Sequence, residues 1–175
     1  MSATRQQTSH QTSHQTSHQV CRQLARQLLS RNLMLCTAES CTGGMIAAAC
    51  TSLAGSSQWF ERGFVTYSNA AKSELLGVDP RLIANYGAVS DPVAQAMAQG
   101  AVRHSAAQVS IAVTGIAGPG GGSAEKPVGT VWFGWTTPDG TSSAVQHFAG
   151  SRQAVRKAAT LFALSKLHSL LQTLP

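Results

Sequence analysis

The sequence predicts an α/β fold, with a mixed, mostly parallel sheet and helices on both faces. Three observations lead there. Short apolar runs that read as strands alternate with longer segments of helical spacing. Glycine-rich polar stretches stand where predicted strands end, the place at which open α/β sheets bind ligands. A hairpin signal, Pro138-Asp139-Gly140, adds an antiparallel pair late in the chain. The 175 residues suit one domain, placed at residues 20–175, behind a low-complexity tail at residues 1–19.

The tail repeats Thr-Ser-His-Gln from Thr8, Thr12 and Thr16, which sets His10, His14 and His18 four residues apart. A helix would align those imidazoles, and a transition metal could bind them adventitiously. The favoured reading is a polar tail with no catalytic role. The first packed element is a helix over 20–31, where Val20, Leu24, Leu28 and Leu29 follow helical spacing. Leu33-Met34-Leu35-Cys36 reads as a buried strand, and the alanine-rich stretch at 45–50 as a buried helix. Residues 60–68 read as a strand on the β propensity of Phe64, Val65 and Tyr67. Asn69 is placed as N-cap of a helix over 70–76 that Gly77 stops. Asp79-Pro80 opens a short helix ending at Gly87. Ser90-Asp91-Pro92 opens another to about His104, with Val93, Met97, Ala101 and Val102 inward. Residues 109–114, 129–137 and 141–147 read as strands, and Ser151 caps a final helix to about Leu171.

Composition narrows the function. Hydrophobic residues are 43% of the chain and charged ones 11%, which suits a compact domain. No apolar run approaches the roughly 18 residues of a membrane span, and the polar N-terminus lacks the apolar core of an export signal. A cytoplasmic location is therefore expected. Cys21, Cys36, Cys41 and Cys50 show neither a CxxC pair nor zinc-like spacing, so reduced thiols are expected. The net charge is +6, from 13 Lys+Arg against 7 Asp+Glu. The basic residues are scattered, with only Arg152, Arg156 and Lys157 clustered, and no nucleic-acid motif is present. A pocket for an anionic small molecule accounts for the excess as well.

Ser40 stands where a predicted strand gives way to a helix. A helix N-terminus offers unpaired N–H groups to an anion or a developing oxyanion. Gly43 and Gly44 admit a ligand close to the backbone. The same stretch also reads as an ordinary strand–helix turn built from small residues. Ser40, residues 67–72 and residues 114–122 form three polar patches at strand ends, which can share one sheet edge. A serine hydroxyl needs a base to attack at neutral pH. His104, His147 and His168 lie away from the polar loops. Lys72 can serve if its pKa falls from about 10.4 toward neutrality, a shift worth about 4 kcal/mol. The commoner fate of a helical lysine is the surface.

Several longer motifs carry a resemblance. They are Thr-Ala-Glu-Ser-Cys-Thr-Gly-Gly at 37–44, Gly-Phe-Val-Thr-Tyr-Ser-Asn-Ala-Ala-Lys at 63–72 and Gly-Ala-Val-Ser at 87–90. Thr-Gly-Ile-Ala-Gly-Pro-Gly-Gly-Gly at 114–122 and Glu-Lys-Pro-Val-Gly-Thr-Val at 125–131 follow. In this order, across about residues 20–172, the chain resembles the CinA C-terminal domain family. The resemblance implies a three-layer α/β/α sandwich around a five-stranded mixed sheet. Stand-alone members are nicotinamide-nucleotide amidohydrolases of the PncC type, which deamidate nicotinamide mononucleotide to nicotinic acid mononucleotide and ammonia in NAD salvage. With no partner domain before the motifs, the stand-alone form is expected here.

Carried over by residue, the resemblance implies Ser40 as nucleophile, Lys72 as general base and Tyr67 as the group that relays or orients the proton. Cys41, Thr42, Gly43, Gly44, Asn69, Thr114, Gly115, Gly118 and Arg152 are the implied substrate-binding residues. No metal site and no organic cofactor are expected. The expected partners are a small-molecule nucleotide substrate and further copies of the chain in a homo-oligomer, with no membrane and no nucleic acid. One departure stands out: Gly150-Ser151-Arg152 replaces the family's usual Gly-Asp-Arg. The alternative reading is a non-catalytic nucleotide-binding module of the same fold.

Overall fold

The computed structural model describes residues 16–174. Helix α1, Ser17–Ser30, starts three residues earlier than the apolar spacing indicates. The third Thr-Ser-His-Gln repeat supplies the reason. Thr16 Oγ1 accepts from the Gln19 N–H, and Gln19 Oε1 accepts from the Thr16 N–H at 2.8 Å, which is a capping box. The expected helix start at residue 20 is corrected accordingly. The first two repeats, with His10 and His14, lie outside the described residues.

The sheet contains β1 (Leu35–Glu39), β2 (Phe60–Val65), β3 (Val109–Gly115), β4 (Thr130–Thr137) and β5 (Gly140–His147), in the order β2-β1-β3-β4-β5. β1 pairs parallel with β2 and β3, whereas β3–β4 and β4–β5 are antiparallel. With two parallel and two antiparallel pairings the sheet is evenly mixed, which corrects the expectation of a mostly parallel one. The cause is the connection after β3. A parallel neighbour needs a crossover, usually a helix. Here the glycine-rich loop closes on its own base, with Ile116 N–H donating to Thr130 O and Gly129 N–H to Ile116 O. The Pro138-Asp139 hairpin then joins β4 to β5 as its turn chemistry predicts.

Strand β1 is buried along its whole length because β2 and β3 flank it. β2 ends at Val65, opposite Glu39, because its partner β1 ends there. Alternate strand residues face opposite sides of a sheet. Leu35, Val109, Ile111, Val113, Val131, Phe133 and Trp135 meet α1, α2 (Met45–Thr51) and α6 (Arg152–Gln172) in one apolar cluster. Cys36, Ala38 and Ala112 meet α3 (Asn69–Leu76), α4 (Pro80–Tyr86) and α5 (Asp91–Arg103) in a second. Ser68, not Asn69, caps α3, accepting from Ala71 N–H at 3.0 Å, so Asn69 becomes the first helical residue. No helix among the described residues is long and apolar enough to cross a membrane.

Buried hydroxyl and indole groups tie the helices to the sheet. Ser110 Oγ donates to Ala98 O of α5 at 2.7 Å, and Trp135 Nε1 donates to Ala163 O of α6 at 3.0 Å. On the α5 side the approach is close enough to require glycine. A Cβ at Gly134 would run into the backbone carbonyl of Ala94. Gly134→Ala is therefore expected to destabilise the fold by about 1–3 kcal/mol, the usual range for overpacking. Urea denaturation of the two proteins measures it, and an unchanged midpoint would show that α5 can lift from the sheet freely.

Candidate active site

Parallel pairing of β1, β2 and β3 brings their C-terminal ends to one edge, and with them all three polar patches. Ser40 follows β1 directly. Its N–H donates to Val113 O at 2.9 Å, and its carbonyl accepts from Gly43 N–H at 3.0 Å, closing a tight turn. Gly43 and Gly44 have φ of +57° and +95°, values side chains rarely adopt. The Ser40 residue is 8% exposed.

Lys72 does not reach the surface. It is 1% exposed, and its Nζ lies 3.1 Å from Ser40 Oγ and 2.9 Å from Thr66 O. The ion pairs among the described residues, Glu61–Arg62 and Asp79–Arg81, both involve other groups, so the ammonium has no acidic partner there. Burial consequently pushes the Lys72 pKa below the ordinary lysine value, against a weaker opposing pull from Cys41. Cys41 is also buried, and there burial has the reverse effect, pushing the thiol up to about 11. At neutral pH that thiol is protonated, a poor nucleophile.

Glu39 is the largest departure from the expected site. Its carboxylate is 0% exposed and accepts from the N–H groups of Gly44, Ile46 and Ala47 at 3.1, 3.0 and 2.8 Å. The start of α2 is therefore occupied by a side chain of β1, which corrects the expectation that its N–H groups are free for an anion. Gly43 N–H is spent on Ser40 O and Met45 N–H on Thr42 O. Among the described residues, the backbone donors of this turn that no other residue accepts from are those of Cys41 and Thr42, and the Cys41 N–H lies against its own sulfur.

The other expected residues divide into two groups. Tyr67, 60% exposed, accepts through its phenol from Arg152 Nη2 at 2.9 Å; no hydrogen bond joins it to Ser40 or Lys72. Arg152 Nη1 donates to Gly118 O at 2.8 Å, so one guanidinium links the second and third patches. Further in, Thr114 is buried with its hydroxyl on Ala88 O, and Gly115 packs tightly on β4, where a Cβ would meet Val131 and Thr130. Asn69 is exposed and lines a groove between α3 and α4. Thr42 is fully buried, and its hydroxyl has no partner among the described residues. Three histidines are engaged elsewhere: His104 with Gly100 O, His147 with Thr130 and His168 with Gln27. Lys126 donates to Tyr86 O at 2.9 Å, from within a turn.

Sequence reasoning passed over Glu39 and gave Arg156 no role beyond a charge cluster. Arg156 Nε donates to Cys41 O at 3.0 Å, and its Nη2 to Thr42 O at 2.9 Å. The signal for Glu39 was available: a lone carboxylate between an apolar strand and a glycine turn needs donors.

Comparison with known proteins identifies the family. Residues 17–171 match the CinA C-terminal domain model. A nicotinamide-nucleotide amidohydrolase PncC from Enterobacter agglomerans is 60% identical over 128 residues, covering 73% of this chain and 78% of that protein. The PncC of Escherichia coli is 52% identical over 139 residues, covering 79% and 84%. The crystal structure of competence damage-inducible protein A from Klebsiella pneumoniae superposes with a TM-score of 0.89 at 37% identity, covering 92% of this chain and all of that one. Longer relatives also match, and this chain spans 33% of a CinA-like protein from Syntrophobacter fumaroxidans. The motifs, the fold and the matched span together place the chain in the CinA C-terminal domain family.

Proposed function

We propose that the protein is an amidohydrolase that deamidates nicotinamide mononucleotide to nicotinic acid mononucleotide and ammonia, in NAD salvage. The observation that carries this reading is a buried lysine with no acidic partner among the described residues, 3.1 Å from a serine hydroxyl at a strand end. The names of the similar proteins supply the substrate. When Lys72 is neutral, the Ser40 hydroxyl donates to its lone pair, while the amine keeps Thr66 O as acceptor. Ser40 Oγ then bonds the carboxamide carbon, its proton passes to Lys72, and the carbonyl electrons move onto oxygen. Collapse expels ammonia with a proton returned from Lys72, and water releases the acid from the acyl-enzyme. Tyr67 accepts from Arg152, so its own O–H is free to donate toward the departing nitrogen. The two apolar clusters on opposite strand faces support a single three-layer α/β/α domain from the start of α1 onward.

Ammonia release from nicotinamide mononucleotide by the purified protein, without added metal, tests the activity itself. A module that only binds nucleotide would retain affinity and release none. Within that assay, Ser40→Ala should abolish turnover, whereas Cys41→Ala should keep much of it because the thiol is buried and protonated. Acyl-enzyme trapped on Cys41 and found by mass spectrometry would reverse the assignment.

Lys72 must be neutral to act as base, and its pKa is depressed. Activity should therefore fall as pH drops through that lowered pKa and hold above it. Lys72→Arg keeps the charge and cannot deprotonate. It should lose at least about a hundredfold in kcat, the lower end for general-base catalysis, together with that pH limb. A near-native rate would leave Lys72 a packing role only.

Arg152, with donors beyond the two it spends on Tyr67 and Gly118, is the proposed phosphate ligand. Arg152→Ala should raise KM for the mononucleotide roughly thirtyfold, from about 2 kcal/mol of charged hydrogen bonding. The phosphate-free riboside should respond little. Equal fractional losses on both substrates would move the phosphate to the glycine loop.

A further inference from the structure

A trans peptide unit points its C=O and N–H in opposite directions. Whatever grips the carbonyl therefore aims the N–H. Two successive peptide units follow Cys41. The first carries Cys41 O and Thr42 N–H, and the second carries Thr42 O and Gly43 N–H. Arg156 grips both carbonyls, Cys41 O at 3.0 Å and Thr42 O at 2.9 Å. Its fork comes so near the turn that a Cβ at Gly43 would lie 3.3 Å from Nη2. The second N–H, of Gly43, folds back on Ser40 O. The first, of Thr42, has no acceptor among the described residues. The N–H of Cys41, immediately after Ser40, meets only the weak acceptor of its own sulfur.

Glu39 works from the other side. By taking the N–H groups of Gly44, Ile46 and Ala47, it satisfies the donors that would otherwise compete for an anion. The result is a turn in which two N–H groups, one and two residues after the proposed nucleophile, have no acceptor on another described residue. A positive guanidinium on the carbonyl side polarises the first of these peptide units and strengthens its N–H as a donor.

We infer that Arg156 is a positioning residue for the oxyanion: its bonds to Cys41 O and Thr42 O aim the Thr42 N–H, beside that of Cys41, at the carbonyl oxygen of the tetrahedral intermediate. This rests on Ser40 being the nucleophile proposed above. Arg156 touches neither substrate nor reacting atoms, so its effect is exerted on the transition state through the backbone. Ground-state binding depends on it little. Arg152, one turn earlier on the same helix, belongs to the substrate's phosphate and has the opposite kinetic signature.

The test uses Arg156→Ala, Arg156→Lys and, as a control one residue away, exposed Lys157→Ala. Loss of an oxyanion donor costs about 10²–10³ in kcat. Arg156→Ala should lose about a hundredfold in kcat, with KM for the mononucleotide and affinity for the product acid changed by less than about threefold. Arg156→Lys, with a point charge that cannot span both carbonyls, should fall between, and millimolar guanidinium should partly restore the alanine variant. Lys157→Ala should match wild type. A second readout is independent of the natural substrate. A fluorophosphonate forms a bond between phosphorus and Ser40 Oγ, expels fluoride, passes the serine proton to Lys72 and places its P=O oxygen in the same hole. Mass spectrometry should show Ser40 modified at least tenfold more slowly in Arg156→Ala than in wild type.

If KM rises while kcat and the phosphonylation rate hold, Arg156 binds substrate and the inference is overturned. A shared loss of melting temperature and of both parameters, without guanidinium rescue, would reduce it to a structural tie. Should wild type release no ammonia yet still be phosphonylated at Ser40, the substrate assignment fails alone, and the labelling rates decide the inference. Wild type inert in both assays would overturn Ser40 as nucleophile and the inference with it.

Discussion

Glu39 places a carboxylate at the buried end of β1, where backbone N–H groups are the main donors available to satisfy it. Three N–H groups from the start of α2 converge on its oxygens, with the Thr37 hydroxyl at 3.4 Å. A buried charge of this kind is tolerable only when donors surround it. The chain must therefore turn at once and bring its own residues five to eight positions later back to the same side chain. Left-handed backbone at Gly43 and Gly44 permits that turn. Ser40, the first residue after Glu39, then has little freedom, because Val113 O holds its N–H and Gly43 N–H holds its carbonyl. The position of the hydroxyl follows from a structural carboxylate that takes no part in the proposed chemistry.

The same dry environment acts on two neighbouring side chains with opposite sign. Burial disfavours the charged form, so it raises the thiol of Cys41 and lowers the ammonium of Lys72. One group is disarmed as a nucleophile, and the other is shifted in the direction that the proposed role of base requires. Stability carries the consequence. The folded pKa of Lys72 lies below the unfolded value of about 10.4. Between the two, the unfolded chain holds the proton and the folded chain does not, so stability rises with pH through that window. Below it, the folded protein carries a buried ammonium that no acidic group among the described residues offsets. A lysine kept for packing alone would be replaced by a methionine at no such cost.

Local signals in the sequence were sufficient where one residue decides an outcome. The hairpin at Pro138-Asp139, the stop at Gly77 and the caps at Asp79 and Ser151 follow from single side chains and fall as read. Where two adjacent residues compete, the sequence was ambiguous: Ser68 and Asn69 are both good caps, and the extended backbone at Ser68 decides. The even mix of pairings depended on how the loop after β3 closes, which is a tertiary hydrogen-bond pattern at Ile116 and Gly129. The proximity of Ser40 and Lys72 was legible as a convergence of strand ends. The attachments of Arg152 and Arg156 were not, since both reach carbonyls or a phenol far along the chain.

Helix α6 shows how such distant attachments are kept in phase. Arg152 and Arg156 are four residues apart, so they lie one above the other on one helical face. The first reaches Tyr67 and Gly118, and the second reaches the turn after Ser40. One helix thereby ties together the three polar patches that the sheet edge merely brings near. Each residue advances a helix by about 100°, so a start displaced by one position would swing both guanidinium groups off the site. Ser151 guards against that by accepting from Ala154 N–H, so replacing the family's usual aspartate by serine keeps the cap and with it the phase. At the far side, Trp135 holds Ala163 O and Val155, Leu164 and Leu167 are buried, which fixes the helix's rotation against the sheet. The basic cluster noticed in the sequence is thus largely spent within the molecule, on backbone oxygens and a phenol. Those acceptors are uncharged, so the positive charge of Arg152 is left for the proposed phosphate.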